Sequence, residues 1–233
     1  MPTLKLYDYL PSQNAWKIRV LLAQLGLPYQ QVLVSIFEGQ GQTPEFLAMK
    51  SSGGVPVLEI APGEYLAESN AILAYLAEGS RYLSMDRLQR ARTFAWLFFE
   101  SEMVEPNIGS LRFWTLTDKL AKRDPALIAM KRAGGTRALA SMQRHLQDRK
   151  FFVDERCSIA DISLYAYTHL AADAGFDFAV YPAVDAWIKR VREQPGLDER
   201  VYPYSIDPHS FKELRERLFR ARRMYVIGPD SRR

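Results

Sequence analysis

Gly53-Gly54-Val55-Pro56-Val57-Leu58, followed ten residues later by Glu68-Ser69-Asn70-Ala71-Ile72, is the part of the chain on which the reading turns. Val55-Pro56 opens a short apolar run, where a proline can start a strand without removing a ladder hydrogen bond. If the bond before Pro56 is cis, at a cost of only about 0.5–1 kcal/mol for proline, the Val55 main chain can turn outward. A peptide-like ligand then pairs with its N–H and C=O as an added strand. Glu68-Ser69, ahead of an apolar-periodic run, reads as a helix start, with a serine oxygen to satisfy orphan N–H groups. Such a start attracts carboxylates.

A backbone-pairing site and an anion site in one short segment fit a small peptide carrying carboxylates, and glutathione is the obvious candidate. Outward from this point the pattern is regular. Leu4-Lys5-Leu6-Tyr7 alternates as a strand does, and Pro11 breaks it. Ala15, Ile18, Leu21, Leu22 and Leu25 recur at helical spacing over 14–25, and Gly26 closes that helix. Residues 30–36 are β-prone, so the two strands should be parallel. Thr43 with Pro44 starts a short helix to about Lys50. Residues 57–60 and 65–67 flank Pro62-Gly63 as a hairpin, and a helix runs from Ser69 to about Glu78. The order βαβ, α, ββ, α is that of a thioredoxin-like domain.

After Gly79 only the helical period remains. Helices are expected over 86–105, ended by Pro106; over 125–147, with a kink at Gly134-Gly135; over 158–172; and over 182–192, stopped by Pro195-Gly196. Tyr202, Pro203, Tyr204 and Pro208 suggest an extended surface segment. Residues 210–225 read as a basic helix with Phe211, Leu214, Leu218 and Phe219 on one side. The expected organisation is a thioredoxin-like domain over 1–79, a linker over 80–85, an all-α domain over 86–205 and a basic extension over 206–233.

Composition sets bounds. Of 233 residues, 48% are hydrophobic and 25% charged, as in soluble globular proteins. No apolar run approaches the roughly 18 residues of a membrane span, and a cytoplasmic location is expected. The single cysteine, Cys157, excludes an internal disulfide and is read as a small buried filler. His145, His169 and His209 lack metal-ligand spacing, so no metal is expected. The net charge of +4 is concentrated at the end: residues 211–233 hold eight Lys/Arg and three Asp/Glu, a balance of +5 that leaves −1 for the rest. A nucleic-acid partner is not expected, because the apolar stripe in this tail suits packing on the body or a second subunit.

The segments Ser12-Gln13-Asn14, Lys17-Ile18-Arg19-Val20-Leu21-Leu22, Thr43-Pro44-Glu45-Phe46-Leu47, Val55-Pro56-Val57-Leu58, Glu68-Ser69 and Ser158-Ile159-Ala160-Asp161 keep a shared order and spacing. In this the chain resembles bacterial cytosolic glutathione transferases with a serine or threonine at the active site, from about Leu4 to about Gly196. The resemblance implies the glutathione transferase fold, glutathione as co-substrate, a homodimer and a role in detoxification. It implies that the Ser12 hydroxyl hydrogen-bonds the glutathione sulfur, where the residues alone also allow a helix cap. Asn14 is either a second donor to sulfur or a cap. Val55 and Pro56 would hold the peptide main chain, Glu68 the ammonium and Ser69 the α-carboxylate of the γ-glutamyl end. Many relatives carry Lys, Arg or Gln just before Val-Pro; here that residue is Gly54, and Lys50, Gln40 or Gln42 is expected to hold the glycyl carboxylate instead. Ser158 to Asp161 resembles the family's structural capping box. For the electrophile, Tyr9, Leu10, Phe99, Arg112 and Trp114 are the candidates.

Addition of the glutathione thiolate to a small hydrophobic electrophile is the leading expectation. The Ser12-Gln13-Asn14 pattern keeps glutathione-dependent disulfide reduction or peroxidase chemistry as an alternative, and a non-catalytic binding protein of the same fold is a third.

Overall fold

The computed structural model describes residues 4–210. Alternation in the first strand gives β1 (Leu4–Asp8), with Leu6 and Asp8 facing inward. Ser12 caps α1 (Gln13–Leu25) by accepting the Ala15 N–H at 3.3 Å, and Gly26 closes it at φ 65°, in the left-handed conformation that suits a residue without Cβ. β2 (Tyr29–Leu33) runs parallel to β1, and Thr43 caps α2 (Pro44–Met49). β3 (Val57–Ala61) and β4 (Glu64–Ala67) form the expected antiparallel hairpin, and α3 (Ser69–Ala77) follows. With β3 antiparallel to β1, the sheet is mixed and four-stranded in the order β2-β1-β3-β4. This is a thioredoxin-like domain, followed by an all-helical one.

In the helical half, α4 (Arg87–Phe99), a π-helical segment (Glu100–Gly109) and α5 (Ser110–Leu116) run on without a break. The expected stop at Pro106 does not occur. A proline removes one donor from the ladder, but the widened turn carries the chain past it while the Asn107 side chain donates to the Met103 carbonyl at 2.7 Å. α6 (Pro125–Leu146) is one helix across Gly134-Gly135. An added Cβ at Gly134 would lie 2.3 Å from Asn107 Oδ1, and one at Gly135 would lie 2.3 Å from the Phe176 ring. The two glycines are contact points. α7 (Ile159–Thr168) is shorter than expected and gives way to a 3-10 turn at Ala171–Ala174, and α8 (Pro182–Arg192) follows.

One apolar core passes through both halves, joining Leu21, Leu22, Ile72 and Leu73 to Val104, Leu139, Ile162 and Trp187. Fully burying side chains of this size stabilises by roughly 1.5–3 kcal/mol each. α1 packs against α7, where Trp16 stacks on Tyr165 with ring centroids 5.5 Å apart. A smaller cluster of Val34, Phe46 and Val57 supports Val55 from below. Cys157 is buried, and burial pushes its thiol well up, as befits a filler.

The stretch after α8 returns to the first domain. Trp16 donates to the Asp198 carbonyl at 2.7 Å, and Ser35 donates to the buried Asp207 carboxylate at 2.7 Å. Within this stretch, expected to be extended, Tyr204–Ile206 forms one 3-10 turn. The basic helix expected over 210–225 lies outside the described residues, Ser210 excepted.

Candidate functional site

The Val55-Pro56 peptide bond is cis. Val55 precedes the ladder of β3, and its backbone forms no hydrogen bond with another described residue. Two cavities meet there. The first, about 760 Å³, is lined by Lys50, Gly54, Val55, Glu68, Ser69 and Asn14 among others; the second, about 590 Å³, has Ser12, Val55, Phe113, Trp114, Tyr167 and Tyr204 in its wall. Val55, Ser101 and Glu105 belong to both.

At the first cavity, Glu68 occupies φ 67°, ψ 114°. Backbone in so sparse a region costs on the order of 1–3 kcal/mol and persists where surroundings impose it. The carboxylate is left largely exposed, 3.1 Å from Lys50 Nζ. Glu68 itself is the cap residue of α3, and Ser69 is the first helical residue, so the expected Ser69 cap is corrected. Its hydroxyl is committed sideways instead: Ser69 Oγ donates to Asn14 Oδ1 at 3.2 Å and receives Lys17 Nζ at 3.4 Å.

Ser12 is the α1 cap, which removes that role from Asn14. Because its oxygen accepts the Ala15 N–H, the hydroxyl proton stays available for a ligand in the second cavity. Asn14 Nδ2 donates to Glu105 Oε1 at 2.7 Å, and Tyr167 donates to the same oxygen at 3.4 Å. Burial raises the Glu105 carboxyl above the usual range, against the opposing pull of the Lys17 ammonium. Burial also pushes the Tyr167 phenol well up, so it remains a donor.

Beneath the site lies a charged pair with both side chains fully enclosed: Lys17 Nζ and Glu100 Oε2 are 2.8 Å apart. A lone buried charge would cost several kcal/mol, so each requires the other. Glu100 Oε2 also accepts from Asn70 at 3.1 Å and Ser163 at 3.2 Å. The pair thereby ties α1, the start of α3, the π-helical segment and α7 together under Ser69.

Two family models match this chain, glutathione S-transferase N-terminal domain over residues 2–78 and glutathione S-transferase C-terminal domain over residues 113–195. The chain belongs to the glutathione S-transferase family. Among curated relatives, it is 29% identical to the disulfide-bond oxidoreductase YfcG of Escherichia coli, over 82% of this chain and 91% of that one. Among solved structures, a glutathione S-transferase from Pseudomonas fluorescens superposes with a TM-score of 0.80 at 41% identity, covering 82% of this chain and 96% of that one. A glutathione transferase from Pseudomonas putida with one glutathione disulfide bound per subunit superposes with a TM-score of 0.74 at 28% identity, covering 84% and 89%.

As a glutathione S-transferase, the chain brings Ser12, Asn14, Lys50, Val55, Pro56, Glu68 and Ser69 to the walls of these adjoining cavities. Lys50, at the end of α2, lies beside Gly54, whose added Cβ would sit 3.8 Å from its amine, and both residues line the first cavity. Gln42 is exposed against Gly53 and lines neither cavity, while Gln40 spends its amide on Ser35 N and Glu38. Tyr9 and Trp114 line the second cavity. Leu10, Phe99 and Arg112 do not: the Leu10 carbonyl accepts from Arg19, Phe99 turns its ring to Trp96 at 5.0 Å, and Arg112 is buried against Asp173 at 2.9 Å. Helical spacing alone does not separate a lining face from a core face two positions away.

Sequence reasoning missed Glu105, Phe113, Tyr167 and Tyr204, and with them the Lys17–Glu100 pair. A signal existed: Lys17 stands among Ala15, Ile18 and Leu21, while Glu100 and Glu105 stand among Leu97, Val104 and Ile108, charges on apolar stripes. Among the described residues there is no cluster of metal-ligating side chains and no helix long and apolar enough to cross a membrane.

Proposed function

We propose that the protein binds glutathione with its main chain along Val55, its γ-glutamyl end at Glu68 and Ser69 and its glycyl carboxylate at Lys50, and adds the thiolate to a small electrophile in the second cavity. The observation that carries this reading is the junction: Val55 lines both cavities, and Ser12 lines only the second. A tripeptide paired with Val55 has its cysteinyl sulfur where the Ser12 hydroxyl can donate to it. Phe113, Trp114, Tyr167 and Tyr204 supply an apolar and aromatic wall for an organic electrophile. Exposed apolar side chains at Tyr75, Met85, Leu88 and Phe98, on or beside α3 and α4, fit a homodimer interface. A cytoplasmic detoxifying role accords with this chemistry.

The similarity to YfcG and to the disulfide-bound Pseudomonas putida enzyme favours a second reading, attack of the same thiolate on a disulfide. One experiment separates the two. The protein is retained on immobilised glutathione, eluted with free glutathione, and assayed with chlorodinitrobenzene and with hydroxyethyl disulfide. Conjugation well above disulfide reduction supports the first reading; the reverse replaces it with the second. Failure to be retained removes both.

A further inference from the structure

We infer that Glu105 is the proton carrier of the reaction, taking the proton of the glutathione thiol and returning it to the product. This rests on the reading that glutathione binds along Val55 with its sulfur at Ser12. The geometry separates the two oxygens of this carboxyl. Oε1 takes both hydrogen bonds, from Asn14 and Tyr167, which is what a clamp between α1 and α7 requires. Oε2 has no partner among the described residues and is not sealed from solvent, while the residue lines both cavities at their junction. A group whose only task was to hold Asn14 would need no face on either cavity. Glu105 also sits in the π-helical segment, a geometry frequent at functional sites.

The groups facing it set its proton affinity. Lys17 and Asn14 approach from α1 and Tyr167 from α7; Glu100 lies on its own segment. Lys131 from α6 is occupied by the Pro106 carbonyl, and Asp173 is held by Arg112. Enclosure favours the neutral carboxyl and Lys17 opposes it, which leaves a group able to gain and lose a proton within a catalytic cycle.

The step balances without another reactant. The S–H bond breaks and an O–H bond forms on Glu105, leaving the thiolate beside the Ser12 hydroxyl. The thiolate sulfur bonds to the β-carbon of an α,β-unsaturated carbonyl, and the displaced electron pair moves onto the α-carbon. Glu105 gives its proton to that carbon and is a carboxylate again. An aryl chloride needs no such return, because chloride leaves unprotonated and Glu105 loses its proton to solvent.

The test uses the full-length protein. Glutathione is added in weak buffer near neutrality, with thiolate formation followed by ultraviolet absorbance and proton release by an indicator dye. Thiolate formation with little proton release is expected; about one proton released per thiolate overturns the proposal and leaves the binding reading standing. Absence of any thiolate signal in protein that is retained on immobilised glutathione overturns the proposal and leaves the binding reading standing. In Glu105→Gln, which keeps an oxygen for Asn14, the rate with an enone should fall about tenfold or more beyond the fall with chlorodinitrobenzene. Equal falls for both substrates would mean a clamp alone. The wild-type proton measurement stands without the variant, should that variant fold poorly.

Discussion

Ser12 makes one bond that the fold needs and has one proton to spare, and the size of that spare bond is what matters. A free cysteine thiol ionises near pH 8.5, so only a small part is nucleophilic at neutrality. A hydrogen bond to a charged group is worth about 1.5–3 kcal/mol, and one pKa unit is about 1.4 kcal/mol, so a single hydroxyl can bring the thiol down by about one to two units. In Ser12→Ala, the protein should still be retained on immobilised glutathione, while the bound thiol titrates about one to two units higher and turnover at neutral pH falls by roughly ten- to fiftyfold. Unchanged turnover across several electrophiles would assign Ser12 to capping alone. The cap itself is worth about 1 kcal/mol, so some loss of stability is expected with it. The roles of Ser12 and Glu68 toward glutathione came from the family resemblance, but the places of Ser12, Val55 and Pro56 were legible because each follows from a local rule, a cap or a strand entry. Glu105 was not, because its burial depends on Asn14 and Tyr167, 91 and 62 residues away.

At the scale of elements, the capping box of α7 is the clearest case of a sequence pattern that became structure. Asp161 accepts from Ser158 N at 2.9 Å and Ser158 Oγ at 3.0 Å, closing the helix start, and also from Phe152 N at 3.1 Å and Trp187 Nε1 at 2.9 Å. The reach to Phe152 and Trp187 joins α7 to α8 and to the loop after α6, and no local spacing announces it. In Asp161→Ala these buried donors are orphaned, so urea denaturation should show a loss of about 3–5 kcal/mol, with Asp161→Asn retaining part of it. A loss under about 1 kcal/mol would reduce the box to a simple cap. Local rules failed at Pro106 for the converse reason. The rule that proline ends a helix assumes α geometry, and the π-helical turn, with α6 packed close through Gly134, supplies a different one. A methyl at Gly134 would gain up to about 1 kcal/mol in helix propensity, yet it meets Asn107 at a distance no side chain tolerates. Gly134→Ala should therefore destabilise, by roughly 1–3 kcal/mol in the same denaturation experiment. A stabilised variant would show that Asn107 swings aside freely.

Across the whole molecule, the two halves are joined on one side by the Lys17–Glu100 pair and on the other by an aromatic stack, and the stack carries a titratable ring. The His169 ring lies against Tyr165 at 4.2 Å and 5.8 Å from Trp16, with Nδ1–H donating to the Tyr165 carbonyl. Burial brings its pKa down to about 4; Arg112 and Arg192 act in the same direction, and the Tyr165 carbonyl and Asp173 oppose. An unfolded histidine titrates near pH 6.5, so between the two values the unfolded chain binds the proton that the folded chain refuses. Stability from this ring is therefore complete above about pH 6.5 and is lost as pH falls toward 4. The loss between about pH 7 and about pH 4.5 is roughly 2 kcal/mol. Glu105 acts with the opposite sign, because a raised carboxyl binds a proton in the folded state that the unfolded chain has released. Comparing the wild type with His169→Phe cancels that contribution. The variant should be less stable than the wild type at neutral pH, having lost the bond to Tyr165, and should lose roughly 2 kcal/mol less on acidification, read as the difference in urea stability at the two pH values. Parallel pH dependences in the two proteins would place the acid sensitivity outside the stack joining α1 to α7.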